Sequence, residues 1–224
     1  MPVISFVSSK GGVGKTTGAV ILAGELALAG KTVAMVDADP NEPLVAWSRI
    51  RDITSTVHVF ADASVETIID TIDDLRSRFD FVIIDLEGRA ADRIGFAMTR
   101  SDLVLIPVQG SLLDANEAAK SVKLIRQMSR VTNRDIPYRV YFSRLAPAIR
   151  ERTLRDIEDQ FAENKIPTLS VSTVDRAAFR AMFSLGGTLH DLDHSDIGGL
   201  ERARENAVAF AQSIISVLVG GEKQ

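Results

Sequence analysis

The sequence predicts an α/β fold: a mainly parallel, doubly wound sheet with helices on both faces. Short β-branched runs alternate along the chain with longer amphipathic stretches, the rhythm of strand and crossover helix. The runs FVIID at 81–85 and LVLIP at 103–107 are apolar without in/out alternation. That pattern is expected of parallel strands covered on both sides.

Taken in order, strands are expected at Val3–Val7, Thr32–Val36, Phe81–Ile84, Leu103–Pro107, Arg139–Phe142 and Thr168–Val171. A helix is expected from Thr16 to about Ala29, and a last, core-packed helix from Glu201, whose basic residues all lie at its start. With 224 residues, 46% of them hydrophobic, the chain has material for one sizeable core, so a single domain spanning 1–224 is expected, ending in a frayed tail at Gly220–Gln224. Ligands of such sheets bind outside the carboxyl ends of the strands, which directs attention to the residues after Val7, Val36 and Ile84.

Composition excludes several classes. The chain has no cysteine, which removes disulfides, thiolate zinc sites and cysteine-ligated iron–sulfur clusters. The apolar stretch Ala19–Gly30 contains Glu25 and falls short of the roughly 20 residues that cross a bilayer. With no basic leader before Lys10, a cytoplasmic protein is expected. The net charge of −4 is unevenly spread: residues 120–155 hold ten basic side chains against Asp135 and Glu151. Such a segment is either a solvated face or a polyanion-binding one.

The run KGGVGKTT at 10–17 follows a strand and opens a helix, the context of a phosphate-binding loop. Gly11, Gly12 and Gly14 tolerate positive φ, and with Val13 they bring backbone N–H groups towards phosphate oxygens at a helix N-terminus. Lys15 supplies charge to the β and γ phosphates of ATP, the Thr16 hydroxyl suits Mg²⁺, and Thr17 is placed for the α phosphate. VDADP at 36–40 sets Asp37 and Asp39 two apart, on one side of a strand end, where both carboxylates can face one Mg²⁺ and water site. Capping of the next helix is the structural alternative for this pair. FVIIDLEG at 81–88 is an apolar strand ending in Asp85, whose carboxylate suits Mg²⁺. Asp80 and Asp102, ahead of their strands, read as turn or cap residues, and Trp47 as a packing residue. His190 and His194 sit in a polar loop and do not make a metal motif.

A lysine at position 10, with Ser9 where the ordinary pattern begins with glycine, matches the deviant Walker A motif. Here the chain resembles the ParA/MinD group of P-loop NTPases. The resemblance extends through EPLVAWSRI at 42–50, SDLVLIPVQGSLLD at 101–114 and DRAAFRAMFSLGGTLHDL at 175–192. It is similar in length to the small ParF-like partition ATPases and to the conjugation-associated ATPase of agrobacterial plasmids. The resemblance implies that Lys10 reaches the partner's ATP across a nucleotide-sandwich homodimer, that Asp39 orients the attacking water with Asp37 as metal-site support, and that Asp85 is the Walker B carboxylate. Where relatives carry Thr–Pro after that aspartate, this chain has Leu86–Glu87. At the place where relatives carry an adenine-recognition residue stand Ser143 and Arg144.

The function so implied is a Mg²⁺-dependent ATPase acting as a switch: the ATP-bound homodimer binds non-specific DNA on the nucleoid, and hydrolysis, stimulated by a cargo-bound activator protein, releases it. Partition of plasmid or chromosomal DNA, or positioning of protein cargo, follows. Arg176 matches a late-loop arginine of the family's DNA-binding surface; Arg180, four residues on, shares its face if the stretch is helical, and Arg150, Arg152 and Arg155 extend the patch. A MinD-like membrane-surface ATPase is the alternative, although the last helix lacks the basic amphipathic tail that class uses, and no membrane partner is expected.

Overall fold

In a computed structural model of the chain, all residues are described except 52–55, 87–90, 146–150, 194–196 and 221–224, with no side-chain description at 91–93, 112, 151 and 152. The elements run β1 (Val3–Phe6), α1 (Lys15–Leu28), β2 (Val33–Ala38), α2 (Pro43–Ser48), β3 (Val57–Ala61), α3 (Ile68–Arg78), β4 (Phe81–Leu86), α4 (Ala91–Arg100), β5 (Leu103–Val108), α5 (Leu112–Thr132), β6 (Tyr138–Phe142), α6 (Glu151–Glu163), α7 (Ala177–Leu185) and α8 (Leu200–Leu218). The six strands form one sheet in the order β3-β2-β4-β1-β5-β6, every neighbouring pair parallel.

Alternation within each strand builds two core layers. Ile4, Phe6, Met35, Ile83, Leu105 and Tyr141 point to the face covered by α1, α2, α7 and α8. Val3, Ala34, Val36, Ile84, Ile106 and Val140 point to the face covered by α3, α4, α5 and α6. Both faces are apolar, which is why these strands read as continuous hydrophobic runs. The expected doubly wound sheet is therefore the fold. From β1 the chain winds outward through β2 and β3, returns with β4 beside β1, and continues on the other side through β5 and β6. The loops after β1 and β4 thus open where the winding reverses, the position at which such sheets bind ligands.

Two strand expectations need correction. β3 is not among the strands that the sequence predicts, because this edge strand is half exposed and carries the exposed His58. Conversely, Thr168–Val171 is no strand: Thr168 makes an isolated parallel bridge to Val140, and Leu169 N–H donates to Val140 O at 2.8 Å. Pro167, with no N–H, precedes this segment, so it follows the β6 edge without forming a ladder. Trp47 packs as expected, 1% exposed, with Nε1 donating to Gly187 O at 3.1 Å. Asp80 accepts from the Thr32 N–H and hydroxyl, and Asp102 from the Val3 N–H, so both tie strand starts together.

Close helix–sheet packing depends on one glycine. A Cβ at Gly18 on α1 would lie 2.4 Å from the Tyr141 hydroxyl and 2.8 Å from Phe6 Cε1. Only glycine lets α1 sit this near β1 and β6, and α1 carries the loop that precedes it.

Candidate functional site

The loop between β1 and α1 has the backbone that its glycines predict. Gly12 and Gly14 are left-handed, at φ 70° and 101°, and Gly14 is the N-cap of α1. Among the described residues, no acceptor meets the N–H groups of residues 11–17, while the loop's carbonyls at 12, 13 and 14 are all engaged. A run of unpaired amides at the start of a helix is an anion-binding nest. No neighbouring atom lies within 4 Å of a Cβ built at Gly11 or Gly12, so this side of the loop is open. Lys15 begins α1, and its charge acts favourably on the Asp85 carboxylate.

Asp37 and Asp85 lie directly opposite one another in the β2–β4 register, and both are buried. Burial pushes the Asp85 carboxyl up to about 7, against the Thr16 hydrogen bond and the Lys15 charge, which favour ionisation. Asp85 Oδ2 accepts from the Thr16 hydroxyl at 2.5 Å, while Oδ1 is buried with no hydrogen-bond partner. An orphaned carboxylate oxygen beside a threonine hydroxyl and a second buried carboxylate is a donor set fitted to a hard divalent cation. Mg²⁺ therefore fits the residues present.

Asp37 has a further task. Its Oδ2 accepts from the Leu44 and Val45 N–H groups at 2.7 and 3.0 Å, capping the first turn of α2, and burial raises its pKa. Of the two carboxylates of VDADP, this one, and not Asp39, caps the helix. Asp39 is partly exposed, and its Oδ1 accepts from the Asn41 N–H and side-chain amide at 2.9 and 2.8 Å.

Lys10 does not project freely. Its Nζ meets Asp114 Oδ1 at 2.5 Å, with Gln109 Oε1 at 3.4 Å. Asp114 was missed in the sequence, though Ser111–x–x–Asp114 is a capping-box pattern: Ser111 is the N-cap of α5 and accepts from the Asp114 N–H at 3.3 Å. Ser143 and Arg144 face the back of the β1–α1 loop, with Ser143 Oγ donating to Val13 O at 2.6 Å and Arg144 Nη1 to Gly12 O at 2.9 Å.

The arginines do not form one helical face. Arg176 is the extended N-cap residue of α7, outside the helix that holds Arg180, and its Nε is buried without a partner. Arg180 pairs with Asp175 at 2.6 Å. Arg155 is exposed on α6, Arg150 lies outside the described residues, and the Arg152 side chain is not described. The basic 120–155 segment is also dispersed. Arg134 holds Thr99 O and Ser101 O, whereas Lys123, Arg126 and Arg130 line a groove of about 550 Å³ between α5 and α6. His190 binds Glu25 at 2.8 Å, His194 lies outside the described residues, and no group of three or more His, Cys, Asp and Glu placed to hold a metal ion occurs among the described residues.

The family described as VirC1 protein matches residues 1–212. The chain is 38% identical over 218 residues to protein ParA of Rhizobium radiobacter, covering 97% of this chain and 98% of the relative. Among solved structures, apo McdA of Cyanothece superposes with a TM-score of 0.75 at 16% identity, over 96% of this chain and 99% of that one. MinD of Pyrococcus horikoshii complexed with Mg-ADP gives a TM-score of 0.69 at 17% identity, over 100% and 99%. These structural likenesses bear on the fold alone.

Proposed function

The chain belongs to the VirC1 family of ParA-type ATPases, and from that premise we propose that it is a single-domain, Mg²⁺-dependent ATPase whose ATP-bound homodimer binds non-specific DNA. Hydrolysis, prompted by a cargo-bound activator protein, ends that state, so that DNA or protein cargo is partitioned. The observation carrying this reading is the open row of amides at residues 11–17 beside the orphaned Asp85 oxygen.

The amides and Lys15 bind the phosphates; Thr16 and Asp85, with Asp37 alongside, hold Mg²⁺, which when bound neutralises charge on the phosphate oxygens. Asp39, braced by Asn41, orients water for attack. Lys10 serves the nucleotide of the second subunit. Nucleoid association in the ATP state follows from DNA binding. Leu200, Ala203, Ala207, Phe210 and Ile214 of α8 are buried in the core, so this face of α8 is not available to a membrane surface. Among the described residues, no helix is long and apolar enough to cross a membrane.

Titration of the protein with Mg²⁺ATP tests the assignment. Wild type is expected to bind, and Lys15→Ala to lose binding because the β and γ phosphates lose their principal cation. Undiminished affinity in a folded Lys15→Ala protein would remove the basis of the proposal. A wild-type ATP dimer that prefers anionic vesicles to DNA would transfer it to the membrane class.

A further inference from the structure

The phosphate loop is held from behind by the end of β6. Arg144 Nη1 donates to Gly12 O at 2.9 Å, buried Ser143 Oγ donates to Val13 O at 2.6 Å, and the Tyr141 hydroxyl lies 3.5 Å from Gly14 O. The carbonyls of Gly12 and Val13 therefore point towards one strand end, while Gly14 O accepts the first helical bond of α1 from the Gly18 N–H at 2.9 Å. A trans peptide is planar, so its N–H points opposite to its C=O. Fixing the carbonyls of Gly12 and Val13 thus fixes the N–H groups of Val13 and Gly14, and sends them to the open side.

We propose that Ser143 and Arg144 are positioning residues that hold the phosphate loop in its anion-binding conformation, acting through Val13 O and Gly12 O rather than by reading the base. The inference rests on the nucleotide-binding reading above. Glycines give this loop its shape but no stiffness: Gly12 and Gly14 pass easily between positive and negative φ, and a turned peptide would aim a carbonyl at a phosphate. Outside hydrogen bonds to the carbonyls remove that freedom before the ligand arrives, and preorganisation of this kind appears as affinity.

The clamp is itself braced. Arg144 is a non-glycine residue at φ 52°, a conformation that persists only where its surroundings enforce it. Thr173 does so: its Oγ1 accepts from the Arg144 N–H at 3.3 Å, and its carbonyl from the Leu145 N–H at 3.0 Å. The strained turn places the guanidinium over the loop, where a Cβ built on Gly14 would lie 3.5 Å from Arg144 Cδ.

The test compares Ser143→Ala and Arg144→Gly with wild type, using Mg²⁺ATP, Mg²⁺GTP and inorganic tripolyphosphate, which has no base. Both variants are expected to bind ATP and tripolyphosphate about tenfold more weakly, a loss of about 1.4 kcal/mol, with the ATP-to-GTP ratio unchanged. Thermal unfolding of Arg144→Gly is expected at or above the wild-type temperature, since glycine accepts φ 52° without strain, which separates positioning from bulk stability. Ser143→Ala removes only a neutral group behind the loop, so a loss there is not the loss of a direct charge contact. If Ser143→Ala fails to fold, exposed Arg144→Gly decides the matter. Tripolyphosphate affinity unchanged in the folded variants overturns the proposal, as does a changed ATP-to-GTP ratio with tripolyphosphate unaffected. A wild-type protein that binds none of the three probes would instead overturn the nucleotide reading.

Discussion

Lys10 and Asp114 form an ion pair at 2.5 Å in which the carboxylate is almost wholly buried, 3% exposed, and the lysine 41% exposed. The lysine that resemblance assigns to a partner's nucleotide is held within its own chain, by the first turn of α5.

Lys10→Ala is expected to keep nucleotide binding by the monomer while impairing the ATP-dependent dimer, whose interface should be two-fold symmetric. It also leaves the buried Asp114 carboxylate with the Ser111 hydroxyl but without its countercharge, at a cost of about 1–2 kcal/mol, below the range for wholly buried pairs because Lys10 is partly solvated. Asp114→Asn in the same chain should recover that stability and leave the dimer impaired. Sedimentation with ATP and urea unfolding check the two effects, and a normal ATP dimer in Lys10→Ala removes the trans role.

Asp39→Ala should bind ATP and dimerise yet hydrolyse slowly, because the attacking water loses its orienting carboxylate. A phosphate-release assay measures this, with turnover down at least tenfold as the expected order of magnitude. Wild-type turnover would remove Asp39 from the reaction and leave it as the partner of Asn41 alone.

The Asp85 carboxyl carries a pH dependence. Its pKa is about 7 in the fold against 3.8 for the free side chain, so between those values the folded protein holds the extra proton. Stability of the nucleotide-free protein should therefore fall as pH rises from about 4 to 7 and level off above. Asp85→Asn keeps the neutral form and should lack this contribution, the two proteins diverging by about 2 kcal/mol between pH 5 and pH 7 in urea unfolding. Mg²⁺, which needs the ionised carboxylate, should bind wild type more tightly as pH rises through 7 and Asp85→Asn hardly at all.

Random duplex DNA should bind only with ATP present, with log affinity falling by about 0.9 per phosphate contact for each unit of log salt. Arg176→Glu with Arg180→Glu should flatten that slope and leave ATP dimerisation intact. Arg180 is paired with Asp175 in an exposed bridge, a bond too weak to withhold it from a phosphate. Unchanged affinity and slope in a double variant that still dimerises would exclude both arginines.

The parallel sheet, the glycine-rich loop at 10–17 and the strand-end carboxylates are legible in the sequence alone. Each is written locally: apolar runs buried on both faces need no partner to be recognised, and a glycine pattern between strand and helix constrains its own backbone. The frayed ends of that legibility are equally physical. β3 is a short edge strand with one half-exposed side, and the Thr168–Val171 run has strand composition but follows Pro167 at the far edge. Which long-range partner each polar group meets is set by the folded topology. The pairing of Asp37 with Asp85 is a matter of strand register, that of Lys10 with Asp114 joins residues 104 apart, and Ser143 and Arg144 reach loop carbonyls 130 and 132 residues away. Such contacts arise from crossover connections that place distant strand ends side by side, and no local periodicity encodes them.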